Sequence, residues 1–470
     1  MILVKTIARW SSPDLLDIPF KIIIYFTLIN SLEKFDFGLL SIAMMIFSYS
    51  SVSQLGIVDW LLYELPKKYS LNLKMNDLIA QSYTFVFVNQ LIMLVIVFLI
   101  VLYFDEGSWF FRIACATYML HTIFYNRYLH KRLYLRFQHR FKHLFNVQFI
   151  LVISKFIMQF VTLKFFGIYG FLIIEMTIYL LPICLFKSDS DFSLFDRDWI
   201  SNYSYLFKNG LPFFAVILLS TILANLDKWF IIGNFGVEKF ATYSLGVFLV
   251  TGLMVFPGKV LSIFTQYMKE MYILDKNLSS NIVRNLSVNN ILIFLLLCLI
   301  TLLQLVSVYI TLLLPKYADV LPLINSFLLS ALLSYGVSLT SNILYLIEKR
   351  EYVAKIQFFI VIIYVLLLIV NSYFNLNIIY IIWSMCTVLI LQICINLGSL
   401  VKFVKLDDKS ELYKFFITII GSVLYYGVNE YRLDAIPFFY YLSFAVFILF
   451  IKFDNSWKNF KHIATRDFSA

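Results

Sequence analysis

The chain has 470 residues, of which 61% are hydrophobic and only 14% charged, and its mean hydropathy is +0.84. An ordinary soluble domain of this length is excluded, because it needs far more charge to coat its surface. The net charge of +10 raises nucleic acid as a partner, but the placement of the basic residues along the chain argues against it.

Apolar runs of about 20 residues recur throughout, each able to cross a hydrocarbon core of roughly 30 Å at about 1.5 Å per residue. In lipid the backbone must be satisfied within the segment, so the runs are predicted as helices, and no alternating strand pattern points to a barrel. In chain order the spans fall near 15–32, 39–63, 78–104, 108–129, 144–166, 170–186, 209–233, 240–268, 287–314, 321–347, 353–375, 377–401, 412–429 and 434–451. Of the 38 Lys and Arg residues, 27 fall in the N-terminus and the loops after even-numbered spans. Only Lys34, Lys164, Lys239, Lys316 and Arg432 fall in the other loops. This bias puts both termini in the cytoplasm. The strongest basic segment, Arg127-Tyr-Leu-His-Lys-Arg-Leu-Tyr-Leu-Arg, reads as a cytoplasmic stretch held at anionic headgroups.

The predicted fold is an all-α polytopic membrane protein of about 14 transmembrane helices. A polar, mixed-charge connection at 187–208 separates an N-terminal six-helix lobe, 1–186, from a C-terminal one, 209–401. A second polar break at 402–411 opens a last segment, 402–470, with an extra helix pair and a cytoplasmic tail. Glu33-Lys-Phe after span one and Glu238-Lys-Phe after span seven form a faint internal repeat at equivalent turns. The first run, interrupted by Asp14, Asp17 and Pro19, carries no signal-peptide pattern.

Charges inside the spans carry the functional information, since each costs about 2.5–3.5 kcal/mol at a helix centre. Span one carries Asp14, Asp17, Lys21 and Tyr25 along one stripe, and span two carries Asp59. Lys155 stands at the middle of span five, sharing a face with Gln148, Gln159 and Thr162. It reads either as lining a water-filled cavity or as the buried ion-pair partner of Glu175 on span six. Span seven carries Thr221, Asn225 and Lys228 on one face with Asp227 beside them, and span eight carries Thr251, Lys259, Ser262 and Gln266. Lys21, Lys155, Lys228 and Lys259 are the candidate substrate-binding residues, because cations lining a path favour an anionic cargo and ammonium groups suit phosphate oxygens. Asp59, Glu175 and Asp227 are candidate ion-coupling groups, or neutralise the lysines. Ser326, Ser330, Ser334, Ser338 and Ser341 form a stripe on span ten that fits either close packing or sugar-facing hydroxyls.

No catalytic residues, cofactor site or metal site is predicted. The run Gly252-Leu-Met-Val-Phe-Pro-Gly258-Lys259-Val260 departs from a phosphate loop in spacing and in its last residue, and it lies within a span. Cys115, Cys184, Cys298, Cys386 and Cys394 all lie in predicted spans without ligand spacing, and no disulfide is expected. The histidines have no metal-site spacing either.

Short motifs point to a family. Ser31-Leu-Glu-Lys-Phe-Asp-Phe-Gly38 and Gln54-Leu-Gly56 resemble the segments after span one and within span two of polysaccharide flippases. Lys208-Asn-Gly-Leu-Pro212, Asn225-Leu-Asp-Lys228 and Gly236-Val-Glu-Lys-Phe-Ala-Thr-Tyr243 resemble that family's seventh span and the turn after it, and Leu314-Pro-Lys-Tyr317 the segment after span nine. The resemblance is to Wzx-type O-antigen or capsule flippases of the multidrug/oligosaccharidyl-lipid/polysaccharide exporter superfamily. It implies two six-helix lobes around a central, partly cationic cavity in a bacterial cytoplasmic (inner) membrane. It also implies a cargo of oligosaccharide repeat units on undecaprenyl diphosphate, carried from the cytoplasmic to the outer leaflet. Asp227-Lys228 matches the family pattern directly, Lys21 matches loosely, and Lys155 and Lys259 match no fixed motif.

The expected partners are therefore the undecaprenyl-diphosphate-linked oligosaccharide, membrane lipids and polysaccharide assembly enzymes, and not nucleic acid. An enzyme such as a polymerase is disfavoured because the external loops are too short to hold an acceptor site. An ion-coupled multidrug or metabolite antiporter of the same fold is the alternative, and its cavity would favour acidic over basic groups.

Overall fold

In the computed structural model the described residues are 2–61, 64, 76–103, 109–137, 140–185, 200–274, 314–347 and 349–403. Spans nine, thirteen and fourteen, most of the 187–208 connection and Cys298 lie outside them. The described residues are almost all helical, with no strand. Among them seven segments are long and apolar enough to cross a membrane. The chain is thus a multi-pass helical membrane protein. It packs as two units, Pro13–Asn225, and Met1–Ser12 with Leu226–Ala470.

Helix α1, Ile2–Ser31, extends well before the apolar run that predicted it. A two-residue joint leads into α2, Lys34–Ser48. The hydropathy pattern predicts span two as one helix, but α2 gives way to a 3-10 turn, Tyr49–Gln54, and a bend at Leu55 and Gly56 before residues 57–61 resume the helix. The cause is local. Ser48 and Ser51 turn their hydroxyls back onto the carbonyls of Met45 and Ser48, at 2.6 and 2.9 Å, loosening the ladder. Gly56 then takes φ +72°, where a side chain is strained.

The bend serves a close approach. A Cβ on Gly56 would lie 2.4 Å from the carbonyl oxygen of Gly210, and one on Gly210 would lie 2.5 Å from that of Leu55. Two of the motifs read from the sequence, Gln54-Leu-Gly56 and Lys208-Asn-Gly-Leu-Pro212, therefore meet backbone to backbone. Around this contact Gln54 donates to Asn126 at 2.7 Å and Asn225 donates to Ser48 at 2.9 Å.

Helices α3, Asn76–Tyr103, and α4, Trp109–Phe137, pack on each other and precede α5, Phe141–Thr177, and the short α6, Leu180–Leu185. Helix α5 holds span five and the first part of span six, reversing at Gly167 with φ 60° and ψ −150°, and α6 continues span six. Helix α7, Tyr203–Leu274, likewise holds spans seven and eight around Gly236, φ 81°.

In the other unit a 3-10 turn, Pro315–Val320, leads into α8, Leu321–Leu346, followed by α9, Arg350–Tyr373, and α10, Ile378–Phe403. Helix α8 is the core of this group and packs chiefly on α10. Between them the fully buried Asn396 donates to Thr340 at 3.0 Å and Ser341 at 3.1 Å. The serine stripe divides accordingly: Ser326 and Ser341 are packed, Ser330 and Ser334 half-buried, and Ser338 exposed.

Replacing Gly56 or Gly210 with alanine is expected to lower the stability of the detergent-solubilised protein by about 2 kcal/mol or more. Gly233→Ala, where an added Cβ meets nothing within 4 Å, should be neutral or slightly stabilising in the same thermal-unfolding measurement.

Candidate functional site

In the unit Pro13–Asn225 the reversal at Gly167 brings together residues that a straight helix would hold about 30 Å apart. Lys155 Nζ lies 3.0 and 2.9 Å from the two carboxylate oxygens of Glu175, and Gln159 Nε2 donates to Oε2 at 2.6 Å. Gln159 and Glu175 are each eight residues from Gly167, so they return to the same depth on the two arms. Side-chain exposures of 16% for Lys155 and 13% for Glu175 place this pair inside the unit. The ion pair between Lys155 and Glu175 raised by the sequence is present.

His121 of α4 closes the cluster. Its Nδ1 lies 2.5 Å from the Glu175 carbonyl oxygen, which can only accept, so Nδ1 donates. The same nitrogen is 4.0 Å from Oε1 of that side chain. Tyr125 stacks on the imidazole with ring centroids 6.0 Å apart, and Tyr179 and Phe47 meet it edge-on at 5.0 and 5.1 Å.

Helix α1 supplies a second ion pair, Lys21 to Asp17 at 2.5 Å and one turn apart. The stacking of Phe20 on Phe156, at 4.1 Å, ties α1 to α5, and the Lys21 charge is near enough to act on Glu175. Two cations and two anions thus share this region and balance. Beside it α2, α3 and α4 enclose a small, mostly apolar pocket of about 40 Å³. Gln90 and Tyr118 reach its wall with the amide Nε2 and the phenol oxygen unpaired.

In the other unit the reversal at Gly236 makes the equivalent junction. Tyr243 donates to Oδ2 of Asp227, nearly equidistant from the bend on the opposite arm, and Asp227 is 6% exposed. The second carboxylate oxygen, Oδ1, has no hydrogen-bond partner. Tyr243 meets Phe327 edge-on at 4.9 Å, and Gly246 admits the same ring against its backbone. The buried Tyr364 stands near enough for the Asp227 charge to act on it.

The structure therefore joins Lys155 to Glu175, with Lys21 close by, and sets Asp227 under a tyrosine of its own. Lys228 is half-buried in the Leu226–Ala470 unit, and Asp59 is half-buried on residues 57–61 of the other. Lys259 lies within α7, and its side chain falls outside the described residues. Reading by sequence missed His121, Tyr243 and the aromatic ring around His121. For Tyr243 the available signal was its near-equal distance with Asp227 from Gly236; the sequence carried none for His121. Among the described residues no group of three potential ligands is placed to hold a metal ion.

Removing Lys155 alone, as Lys155→Met, should cost about 3–5 kcal/mol because it strands a buried carboxylate. Lys155→Met with Glu175→Gln should recover most of that loss in thermal unfolding. Tyr243→Phe is expected to cost about 1–3 kcal/mol by leaving Asp227 without its donor.

No protein-family model and no curated relative matches the sequence. Solved structures do match in fold. A multidrug-resistance MATE transporter of the MOP superfamily in an outward-facing conformation superimposes with a TM-score of 0.64 at 12% identity, over 89% of this chain and 96% of that one. An inward-facing MATE transporter of the same superfamily gives a TM-score of 0.61 at 12% identity, over 84% of this chain and 98% of the other. A MOP superfamily transporter from Pyrococcus furiosus, described by the reversed polarity of its binding pocket, gives 0.59 at 12% identity, over 85% and 97%. The chain is a multi-pass membrane protein with the fold of the MATE transporters of the MOP superfamily.

Proposed function

We propose that the chain is a transporter that moves lipid-linked oligosaccharide repeat units, carried on undecaprenyl diphosphate, across the bacterial cytoplasmic membrane by alternating access. The observation that carries the transport reading is the fold, which it shares with MATE transporters solved both outward-facing and inward-facing. The cargo rests on the motif resemblance and on the lysines Lys21, Lys155, Lys228 and Lys259 carried within the spans. In this reading about fourteen helices form two lobes, with both termini cytoplasmic, and Lys21, Lys155, Lys228 and Lys259 are the candidate partners of the diphosphate. Transition between the two states acts as the transport step, and the lipid tail stays in the bilayer.

The compensation of Lys155 by Glu175 and the buried Asp227 favour a second reading, an ion-coupled antiporter of multidrug or metabolite substrates. There each carboxylate binds a proton or cation that its neighbours otherwise replace.

Cells lacking the chain separate these readings. A flippase deficit leaves undecaprenyl-diphosphate sugars on the cytoplasmic side, cleared by the native chain when it reaches the membrane at the normal level. Clearance by native protein but not by the folded Lys155→Met/Glu175→Gln variant assigns the pair to the transport path. Clearance by both keeps the flippase and makes the pair structural. If no lipid-linked intermediate accumulates, the flippase reading fails and the antiporter stands.

A further inference from the structure

Helix α4 carries the predicted span 108–129 and continues past it to Phe137. Its 29 residues extend about 43 Å, against a hydrocarbon core of roughly 30 Å. Trp109 at its first turn is 77% exposed, the position of an interfacial aromatic anchor. Counting about 20 residues from that anchor reaches the opposite interface near residue 129. Around and beyond that level the positive charge is concentrated: Arg127, Lys131, Arg132, Arg136, Arg140 and Lys142. From residue 107 to residue 174 the sequence contains no aspartate or glutamate.

Among the described side chains, Arg127, Lys131, Arg132, Arg140 and Lys142 flank the α4–α5 junction. Arg140 N donates to the Leu135 carbonyl at 3.0 Å, and α5 packs against α4. Tyr128, Leu133, Tyr134 and Leu135 are buried in the unit and fix the elbow, while Arg140 and Lys142 are exposed and Arg127, Lys131 and Arg132 half-buried. The cations are thus held by packed neighbours at headgroup depth. At the same level His130 is fully buried with its Nε2 unpaired, and the side-chain Nδ2 of Asn126, one turn earlier, is also unpaired.

We infer that the α4–α5 elbow is a binding site for the phosphate headgroup of an anionic phospholipid in the leaflet that the basic bias assigns to the cytoplasm. A single-sign cluster of Arg and Lys at headgroup depth complements a phosphodiester, and planar guanidinium groups hold its oxygens in pairs. The occupant is a resident lipid, separate from the transported cargo. A run of cations serving only to orient the chain during insertion needs no fixed elbow and no buried polar groups at the same depth.

The test uses the full-length protein in neutral detergent, with dioleoyl-phosphatidylglycerol and dioleoyl-phosphatidylcholine as probes. Phosphatidylglycerol should raise the melting temperature and remain bound in native mass spectrometry, while phosphatidylcholine does neither. Arg132→Gln/Arg140→Gln/Lys142→Gln should lose both effects. A matched variant at the other side, Lys164→Gln/Lys239→Gln/Lys316→Gln, should keep them. Equal stabilisation of both variants overturns the site, as does preferential retention of undecaprenyl diphosphate over phosphatidylglycerol at the elbow. If the elbow variant does not insert, a photoactivatable phosphatidylglycerol on native protein decides. Labelling within residues 127–143 supports the inference, and labelling confined elsewhere overturns it.

Discussion

A charge carried into a hydrocarbon layer must bring its own compensation, because no solvent is there to supply it. Lys155 and Glu175 meet this requirement with two contacts near 3 Å and with Gln159 donating to the same carboxylate, while His121 holds the Glu175 backbone carbonyl. Such a pair forms only if the helix that carries both members folds back on itself. The reversal at Gly167 sets the two arms of α5 antiparallel, and α4 packs beside them.

Asp227 and Tyr243 repeat the arrangement with less compensation. A phenol supplies one hydrogen bond and no positive charge, and the other oxygen of the carboxylate is left without a donor. The two units thus solve the same physical problem unequally. The first holds an ion pair beside an imidazole ringed by Tyr125, Tyr179 and Phe47, and the second a buried carboxylate bonded to a phenol and followed in sequence by Lys228.

The helical membrane class was legible because hydropathy over a 20-residue window records burial in lipid directly. The ion pair at Lys155 was legible as one of two readings, since a lysine so deep in a span has few other ways to persist. What the sequence withheld came from tertiary geometry. The break of span two at Leu55–Gly56 depends on serine hydroxyls competing for backbone carbonyls and on the approach of Gly210 from a distant part of the chain, neither of which lowers hydropathy. His121 looked like an isolated polar residue because its partner is a backbone carbonyl, and carbonyls have no sequence signature. The serine stripe of α8 could not be divided beforehand, because Ser326 and Ser338 are chemically identical and differ only in what lies opposite.

The contact between Gly56 and Gly210 joins main chain to main chain, with no side chain between. Interfaces built from side chains can yield by exchanging rotamers and so pass through a series of intermediate shapes. Bare backbone has no such series, so this junction is either seated or parted. Whatever movement the surrounding helices undergo, residues 55–57 and 210–214 travel as one piece or separate abruptly, which makes them a fixed point against which the more adaptable parts of the unit are displaced.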